Sequence, residues 1–100
     1  MGLFDFLKKK NKISVKSANF AKWVKYFCFQ SGIPLEIQLK ITKEISNDFI
    51  EKKGKSLNDF FFLDDVSAKD YLIKKGMNSL DAEIFWSILK NNSASFLQSA

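Results

Sequence analysis

Three acidic residues in the middle of the chain come nearest to a grouping of side chains that could do chemistry. Asp59, Asp64 and Asp65 lie close together in the sequence, and carboxylates grouped in this way can hold a hard cation. Their spacing lacks the alternating oxygen ligands and the glycine of a calcium-binding loop. We therefore expect these carboxylates to terminate and cap short helices rather than to bind a metal ion.

Other candidates for catalytic chemistry are few. The chain has no histidine, which removes the commonest general base and the commonest metal ligand. Cys28 is the single cysteine, so neither an intrachain disulfide nor a thiolate zinc site can form. Because it lies between Phe27 and Phe29, its thiol is expected to be buried and inert. The sequence has no Gly-rich phosphate loop and no nucleophile–base pair, and it predicts a non-enzymatic protein without cofactor or metal.

Residues 1–12 join a short apolar block to a cationic block and are the clearest functional feature of the sequence. The large apolar side chains are Leu3, Phe4, Phe6 and Leu7. The cationic side chains are Lys8, Lys9, Lys10 and Lys12. On a helical wheel the apolar set shares one side, as in segments that lie on a membrane surface or pack on a partner. We predict that this segment binds a membrane or another protein; docking on the protein's own core is the alternative.

Residues 2–9, Gly-Leu-Phe-Asp-Phe-Leu-Lys-Lys, resemble the start of amphibian membrane-active peptides of the aurein and citropin type. The resemblance covers eight residues and implies a physical chemistry compatible with a membrane surface. Each lysine near an anionic surface adds roughly 1 kcal/mol to binding. A segment this short does not hold a helix alone in water, so we expect it to become ordered on binding.

Positive charge is concentrated in the first half of the chain. Residues 1–55 carry twelve lysines and five acidic residues, whereas residues 56–100 carry four lysines and six acidic residues. An anionic partner should therefore meet the N-terminal half. Trp23 and Tyr26 lie among these lysines and could stack on bases, so a nucleic-acid-associated protein is the alternative function. The basic residues are all lysine, and the lack of arginine disfavours sequence-specific DNA reading.

The hydrophobic periodicity predicts an all-α fold, a single small bundle of about five helices with short loops. The predicted helices cover residues 18–31, 34–53, 59–63, 67–75 and 80–90. In the first, Phe20, Trp23, Val24 and Phe27 follow an i, i+3, i+4, i+7 stripe. Predicted caps are Ser56 or Asn58, then Ser67 with Asp70, and Asn78 with Asp81. In the last helix the predicted inward residues are Leu80, Ile84, Phe85, Ile88 and Leu89.

Residues 35–41 carry two competing patterns. Apolar and polar residues alternate from Leu35 to Ile41, as in a half-buried strand. In contrast, Pro34 suits a first helical turn, and the later residues Ile41, Ile45 and Phe49 are spaced by four. The later spacing and the capping residues favour a helix, and the strand stays open as the alternative.

The domain prediction is a single domain over residues 1–100, with the amphipathic segment 1–12, a helical core at 18–90 and a short tail at 91–100. Phe96 and Leu97 of the tail could still dock on the core. Phe60, Phe61 and Phe62 cannot all face one side of a helix, so at least one ring should reach a second surface. We expect that ring to pack on the N-terminal segment, and an apolar patch that recruits a partner is the alternative. We name Phe61 and Trp86 as aromatic residues that could face a partner.

The composition and patterns together predict a small interaction protein of adaptor, inhibitor or immunity type. Its expected partner is another protein, with an anionic membrane surface, nucleic acid or a second copy of the chain as further candidates. The absence of any need for a disulfide favours the cytoplasm, with the inner face of a membrane as an alternative location. The richness in Lys, Asn, Ile and Phe indicates a bacterial or phage source.

Overall fold

The structure is a computed structural model that describes residues 14–99. Its α-helices are α1 (Val15–Phe27), α2 (Leu35–Ile45), α3 (Leu57–Phe61), α4 (Asp65–Lys74), α5 (Ser79–Asn91) and α6 (Ser93–Ser99). A π-helical turn, Ser46–Ile50, extends α2. The described residues contain no strand, so the prediction of a small all-α bundle is confirmed. Residues 35–41 are helical, which decides between the two patterns of that segment.

Side-chain caps set where the helices begin. Ser14 Oγ accepts a hydrogen bond from the backbone N–H of Ser17 at 3.1 Å, so α1 begins three residues before the predicted start. Asp64 Oδ2 accepts from the backbone N–H of Ser67 at 3.1 Å. The prediction that Ser67 caps this helix is therefore wrong, because Asp64 is the N-cap and Ser67 lies inside the first turn of α4.

The other two predicted caps agree with the structure. The backbone N–H of Ser56 donates to Asp59 Oδ2 at 2.8 Å, as in a capping box at the start of α3. Asn78 Oδ1 accepts from the backbone N–H of Asp81 at 2.7 Å, so α5 begins at Ser79. These two helices begin at positions that their own sequence specifies.

A single core lies between the helices. Its largest fully buried side chains are Phe20, Val24, Cys28, Ile41, Ile45, Phe60, Leu72, Phe85, Leu89 and Phe96. The prediction that Leu80 faces inward is wrong, since this side chain is 67% exposed. The buried line of α5 begins at Ala82, and two residues correspond to about 200° of helical rotation. Leu80 therefore lies on the opposite side of the helix.

The Ser-rich tail forms the additional helix α6, which docks on the core. Phe96 is 1% exposed, and its ring centroid lies 5.6 Å from that of Phe20, 5.6 Å from that of Phe27 and 5.9 Å from that of Phe61. The described residues thus contain one α-helix more than the five predicted. Burial of one phenylalanine ring stabilises this helix, whose polar sequence alone indicates a tail.

The π-helical turn connects α2 to the start of α1. The N–H of Glu51 donates to the carbonyl of Ser46 at 2.7 Å, which is the wide i to i+5 bond of this turn. Glu51 Oε2 accepts from Ser14 Oγ at 2.6 Å and also from Ser17 Oγ. These hydrogen bonds lower the pKa of Glu51 and hold the first turn of α1 against the end of the π-helical turn.

Candidate binding surface

The N-terminal segment that the sequence singled out lies outside the described residues. This applies to the predicted membrane- or partner-binding residues Leu3, Phe4, Phe6, Leu7, Lys8, Lys9, Lys10 and Lys12. Ser14, the first described residue, is the N-cap of α1. The binding role of segment 1–12 stays a prediction.

Trp86 does not face a partner in this structure. Its side chain is 3% exposed, and its indole Nε1–H donates to Asp65 Oδ1 at 2.8 Å. The prediction of a partner-facing Trp86 is wrong because α3 packs on the ring: the centroid of Phe60 lies 5.3 Å from that of Trp86 in an edge-on arrangement.

Phe61 is half-buried within the same aromatic cluster. Its ring lies 6.3 Å from Trp86 in a stacked arrangement and 5.9 Å from Phe96. It packs between α5 and α6, and its role as a partner-facing ring stays a prediction. Phe62 is the exposed member of the triplet, with 84% of its side chain accessible.

The acidic residues stabilise helix ends and a salt bridge. Asp59 and Asp64 are the capping carboxylates of α3 and α4. Asp65 Oδ1 lies 2.8 Å from Lys90 Nζ, and the hydrogen bonds from Lys90 and Trp86 lower the pKa of Asp65. Within the described part of the chain, no group of three or more His, Cys, Asp or Glu residues could hold a metal ion.

A second polar cluster joins the π-helical turn to α4. Tyr71 Oη donates to Asp48 Oδ2 at 2.6 Å. Lys75 Nζ lies 3.2 Å from the same carboxylate oxygen and 3.4 Å from Glu44 Oε1. Burial and the hydrogen bond to Asp48 raise the pKa of Tyr71, whereas the hydrogen bond from Tyr71 lowers that of Asp48. These groups satisfy one another, and their arrangement is that of a structural clamp between two helices.

Cys28 is buried, as its flanking phenylalanines predict. The side chain is 0% exposed, and burial raises the pKa of the thiol to about 11. At neutral pH the group is a protonated thiol with no access to solvent, which makes it a poor nucleophile.

A candidate binding surface lies on the outer side of α1. We define the aromatic–basic surface as Lys22, Lys25, Tyr26 and Phe29, which line one open groove of about 840 Å³ together with Trp23, Phe27 and Gln30. Tyr26 is 68% exposed and Phe29 is 79% exposed. Large rings with this exposure, placed beside each other, are typical of surfaces that contact another molecule.

Ring packing makes the floor of this groove rigid. Trp23 stacks on Phe27 with a centroid distance of 5.5 Å and an interplanar angle of 20°. Tyr26 stands edge-on to both, at 5.8 Å from Trp23 and 5.1 Å from Phe27. Phe27 in turn contacts the buried Phe96. The exposed edge of the groove is therefore fixed to the core through a continuous series of rings.

The turn that follows α1 holds Phe29 in place. The N–H of Ser31 donates to the carbonyl of Cys28 at 3.1 Å, and Ser31 Oγ donates to the same carbonyl at 2.8 Å. Gln38 of α2, itself 7% exposed, donates through Nε2 to the carbonyls of Cys28 and Ile33 at 3.3 and 2.8 Å. A buried amide thus braces the turn from which the Phe29 ring projects.

The aromatic–basic surface carries only positive charge. Its charged residues are Lys22 and Lys25, and no acidic side chain lines the groove among the residues that the structure describes. The described residues 14–55 carry eight lysines and four acidic residues. A ligand in the groove would therefore experience a positive potential next to apolar rings.

Sequence reasoning named Trp23 and Tyr26 as candidate stacking residues but did not identify this surface. Phe29 was considered only as a neighbour of Cys28. A signal was present, because Lys22, Lys25, Tyr26 and Phe29 are spaced i, i+3, i+4, i+7, on the side of α1 away from Phe20 and Val24. Because this stripe mixes cationic and aromatic residues, it lacks the uniformly apolar periodicity that marks a buried helix face.

Comparisons with known proteins identify no relative of this chain. No model of a protein family matches it, and neither the curated proteins nor the solved structures contain a match. No helix of residues 14–99 has the length and apolar character needed to cross a membrane.

Proposed function

We propose that the protein is a small, non-enzymatic interaction protein that binds another macromolecule through the aromatic–basic surface. One observation carries this proposal: Tyr26 and Phe29 are 68% and 79% exposed and lie with Lys22 and Lys25 in one groove. Exposing two adjacent rings to water is unfavourable unless a partner covers them, and aromatic side chains supply much of the binding energy at interfaces.

The titratable groups of the described core support a non-catalytic role. Asp59, Asp64 and Asp65 hold helix ends or pair with lysine. Asp48 is engaged by Tyr71 and Lys75. A general base or nucleophile needs a free functional group in a cleft, whereas the groove on α1 presents rings and ammonium groups.

The positive potential of the groove suits a partner with negative charge. This partner can be an acidic protein surface, an anionic membrane or a nucleic acid, and residues 1–12 add four lysines to the same end of the chain. We place the protein in the cytoplasm or at the inner face of a membrane, where anionic lipids attract polybasic segments.

Site-specific crosslinking tests the proposal without assuming the class of partner. A photoreactive phenylalanine analogue placed at position 26 is expected to form adducts in cells that make this protein. The same analogue at position 62 is the matched control, because Phe62 is an exposed ring outside the aromatic–basic surface. An adduct with protein, lipid or nucleic acid at position 26 alone supports the proposal; equal labelling at both positions, or none at position 26, contradicts it.

A further inference from the structure

We infer that the partner of the aromatic–basic surface is an anionic lipid bilayer, with Tyr26 and Phe29 entering the interface and Lys22 and Lys25 contacting lipid headgroups. This inference rests on the proposed function, since it names the class of partner for the same surface. The aromatic–basic surface thereby forms a membrane contact on the folded core, in addition to the predicted contact of residues 1–12.

The placement of the four side chains fits an interface between water and lipid. Lys22, Lys25 and Tyr26 follow the helical repeat of α1, and Phe29 continues this stripe into the turn after the helix. Tyrosine has an apolar body and a polar tip, and lysine can extend its ammonium group away from an apolar stem. Aromatic rings with lysines beside them are the side chains that membrane interfaces favour.

Charge complementarity selects a negatively charged bilayer. Among the described residues, two lysines and no carboxylate line the groove, and residues 14–55 carry eight lysines against four acidic residues. Each lysine near an anionic surface strengthens binding by roughly fivefold. A neutral bilayer would receive only the rings, so anionic lipid should be required for stable binding.

The choice of cation favours a bilayer over nucleic acid. Arginine is the residue best suited to the phosphates of nucleic acids, whereas the groove offers Lys22 and Lys25 and the sequence contains no arginine. Lysine is sufficient for attraction to an anionic headgroup. The exposed rings of Tyr26 and Phe29 add apolar area that can enter between lipid headgroups.

A rigid turn lowers the cost of insertion. Phe29 follows directly after Cys28, whose carbonyl accepts hydrogen bonds from Ser31 and from the buried Gln38. Because these bonds hold the backbone from which the ring projects, little backbone ordering is needed on binding. Insertion from a braced turn also explains why Phe29 is 79% exposed in a core that buries several other phenylalanines.

Two weak contacts on one chain reinforce each other. Residues 1–12 carry four lysines and four large apolar side chains, and they are joined to the start of the helix that carries the aromatic–basic surface. Once one contact is made, the tether raises the effective concentration of the other. Stable membrane attachment generally takes two signals, and the predicted contact of residues 1–12 would supply the second.

Vesicle flotation with the full chain tests the charge requirement. The probes are vesicles of phosphatidylcholine alone and of phosphatidylcholine with phosphatidylglycerol. We expect binding to the mixed vesicles, and we expect it to decrease with added salt. Lys22→Gln/Lys25→Gln should weaken partitioning by about 30-fold. Lys52→Gln/Lys53→Gln removes the same charge from exposed positions outside the groove and should change it by no more than about fivefold.

A second pair of variants tests insertion of the rings. Phe29→Ser should weaken partitioning by about tenfold, because part of one ring is transferred out of water. Phe62→Ser removes an equally exposed ring elsewhere and should leave partitioning unchanged. Phe29→Trp should keep or strengthen binding, since tryptophan is favoured at the interface. Circular dichroism spectra that match the unsubstituted protein show that each variant is folded.

The outcomes separate this inference from the proposed function. If anionic vesicles do not bind, or if each control variant weakens binding as much as its test variant, the bilayer inference is overturned. If single-stranded RNA binds the protein with the same dependence on Lys22, Lys25 and Phe29 while vesicles do not, the bilayer is also overturned. In both cases a specific adduct at position 26 would retain the proposed function, whereas the lack of any adduct would remove it.

Discussion

Three consecutive phenylalanines allow one substitution to be compared in three environments. Phe60 is 0% exposed, Phe61 is half-buried and Phe62 is 84% exposed. Substitution by alanine removes the same atoms at each position, so differences in the free energy of unfolding report the environment alone. We expect a steep decrease in cost from Phe60 to Phe62.

The magnitudes follow from the contacts of each ring. The centroid of Phe60 lies 5.3 Å from Phe49, 5.3 Å from Trp86, 5.5 Å from Phe61 and 5.9 Å from Tyr71. Removing a fully buried phenylalanine costs about 3–5 kcal/mol, through lost transfer energy and the cavity that remains. The half-buried ring of Phe61 should cost about 1–2 kcal/mol. An exposed position such as Phe62 should stay within about 0.5 kcal/mol of the original stability.

Urea unfolding followed by far-ultraviolet circular dichroism measures these differences. A domain of this size is stable by only about 5–15 kcal/mol, so Phe60→Ala can leave too little folded protein to measure. Phe60→Leu keeps much of the volume and should cost about 1–2 kcal/mol, which keeps the comparison accessible. Equal costs for Phe60→Ala and Phe62→Ala, or a cost below about 0.5 kcal/mol for Phe60→Ala, would refute the packing described here.

Three further predictions concern polar groups. The pKa of Glu51 is lowered in the folded state, so the stability it contributes is present above its ordinary pKa of 4.5 and is lost as the pH falls below that value. Glu51→Gln should flatten this acid dependence of the free energy of unfolding in urea titrations between neutral and acidic pH. An unchanged slope would contradict the Ser14–Glu51 hydrogen bond. Cys28 should react with a thiol reagent more than about a hundredfold more slowly in the native protein than in urea, because the thiol is buried and its pKa is raised to about 11. Fast labelling of the native protein would contradict this burial by showing that the site opens readily. Trp86→Phe should lower the free energy of unfolding by about 1–2 kcal/mol, because it removes the indole hydrogen bond to Asp65. Asp65→Asn should lower it less, since the amide oxygen can still accept this bond. The reverse order of costs would contradict this role of the indole.

Local signals in the sequence account for much of the secondary structure. The stripe of Phe20, Val24 and Phe27 identifies α1, and the Asn78–Asp81 pattern identifies the start of α5. These features depend on residues three or four apart, whose contacts form within one helix and need no knowledge of the fold. The helix starts that the sequence misplaced depend on a choice between neighbouring capping residues. Asp64 and Ser67 can both cap a helix, and in the structure Asp64 is the N-cap of α4.

Whether each aromatic residue is buried or exposed depends on contacts between distant parts of the chain. Trp86 has a polar tip and stands beside the apolar stripe of α5, so the sequence leaves its burial open. Asp65 and Phe60 supply its hydrogen bond and its covering ring from more than twenty residues away. Phe96 lies in a polar segment that reads as a tail, yet it becomes a core residue because Phe20, Phe27 and Phe61 form a site for its ring.

The sequence by itself determined that this is a small helical protein with a positive N-terminal half and a single buried cysteine. Composition, charge and hydrophobic spacing are properties of the chain, and they do not change when it folds. Only the tertiary structure decided that Trp86 lies inside the core and that Tyr26 and Phe29 remain at the surface beside Lys22 and Lys25. The physical reason is that the burial of an aromatic ring depends on the shape and chemistry of what surrounds it, and those surroundings come from residues far apart in the sequence.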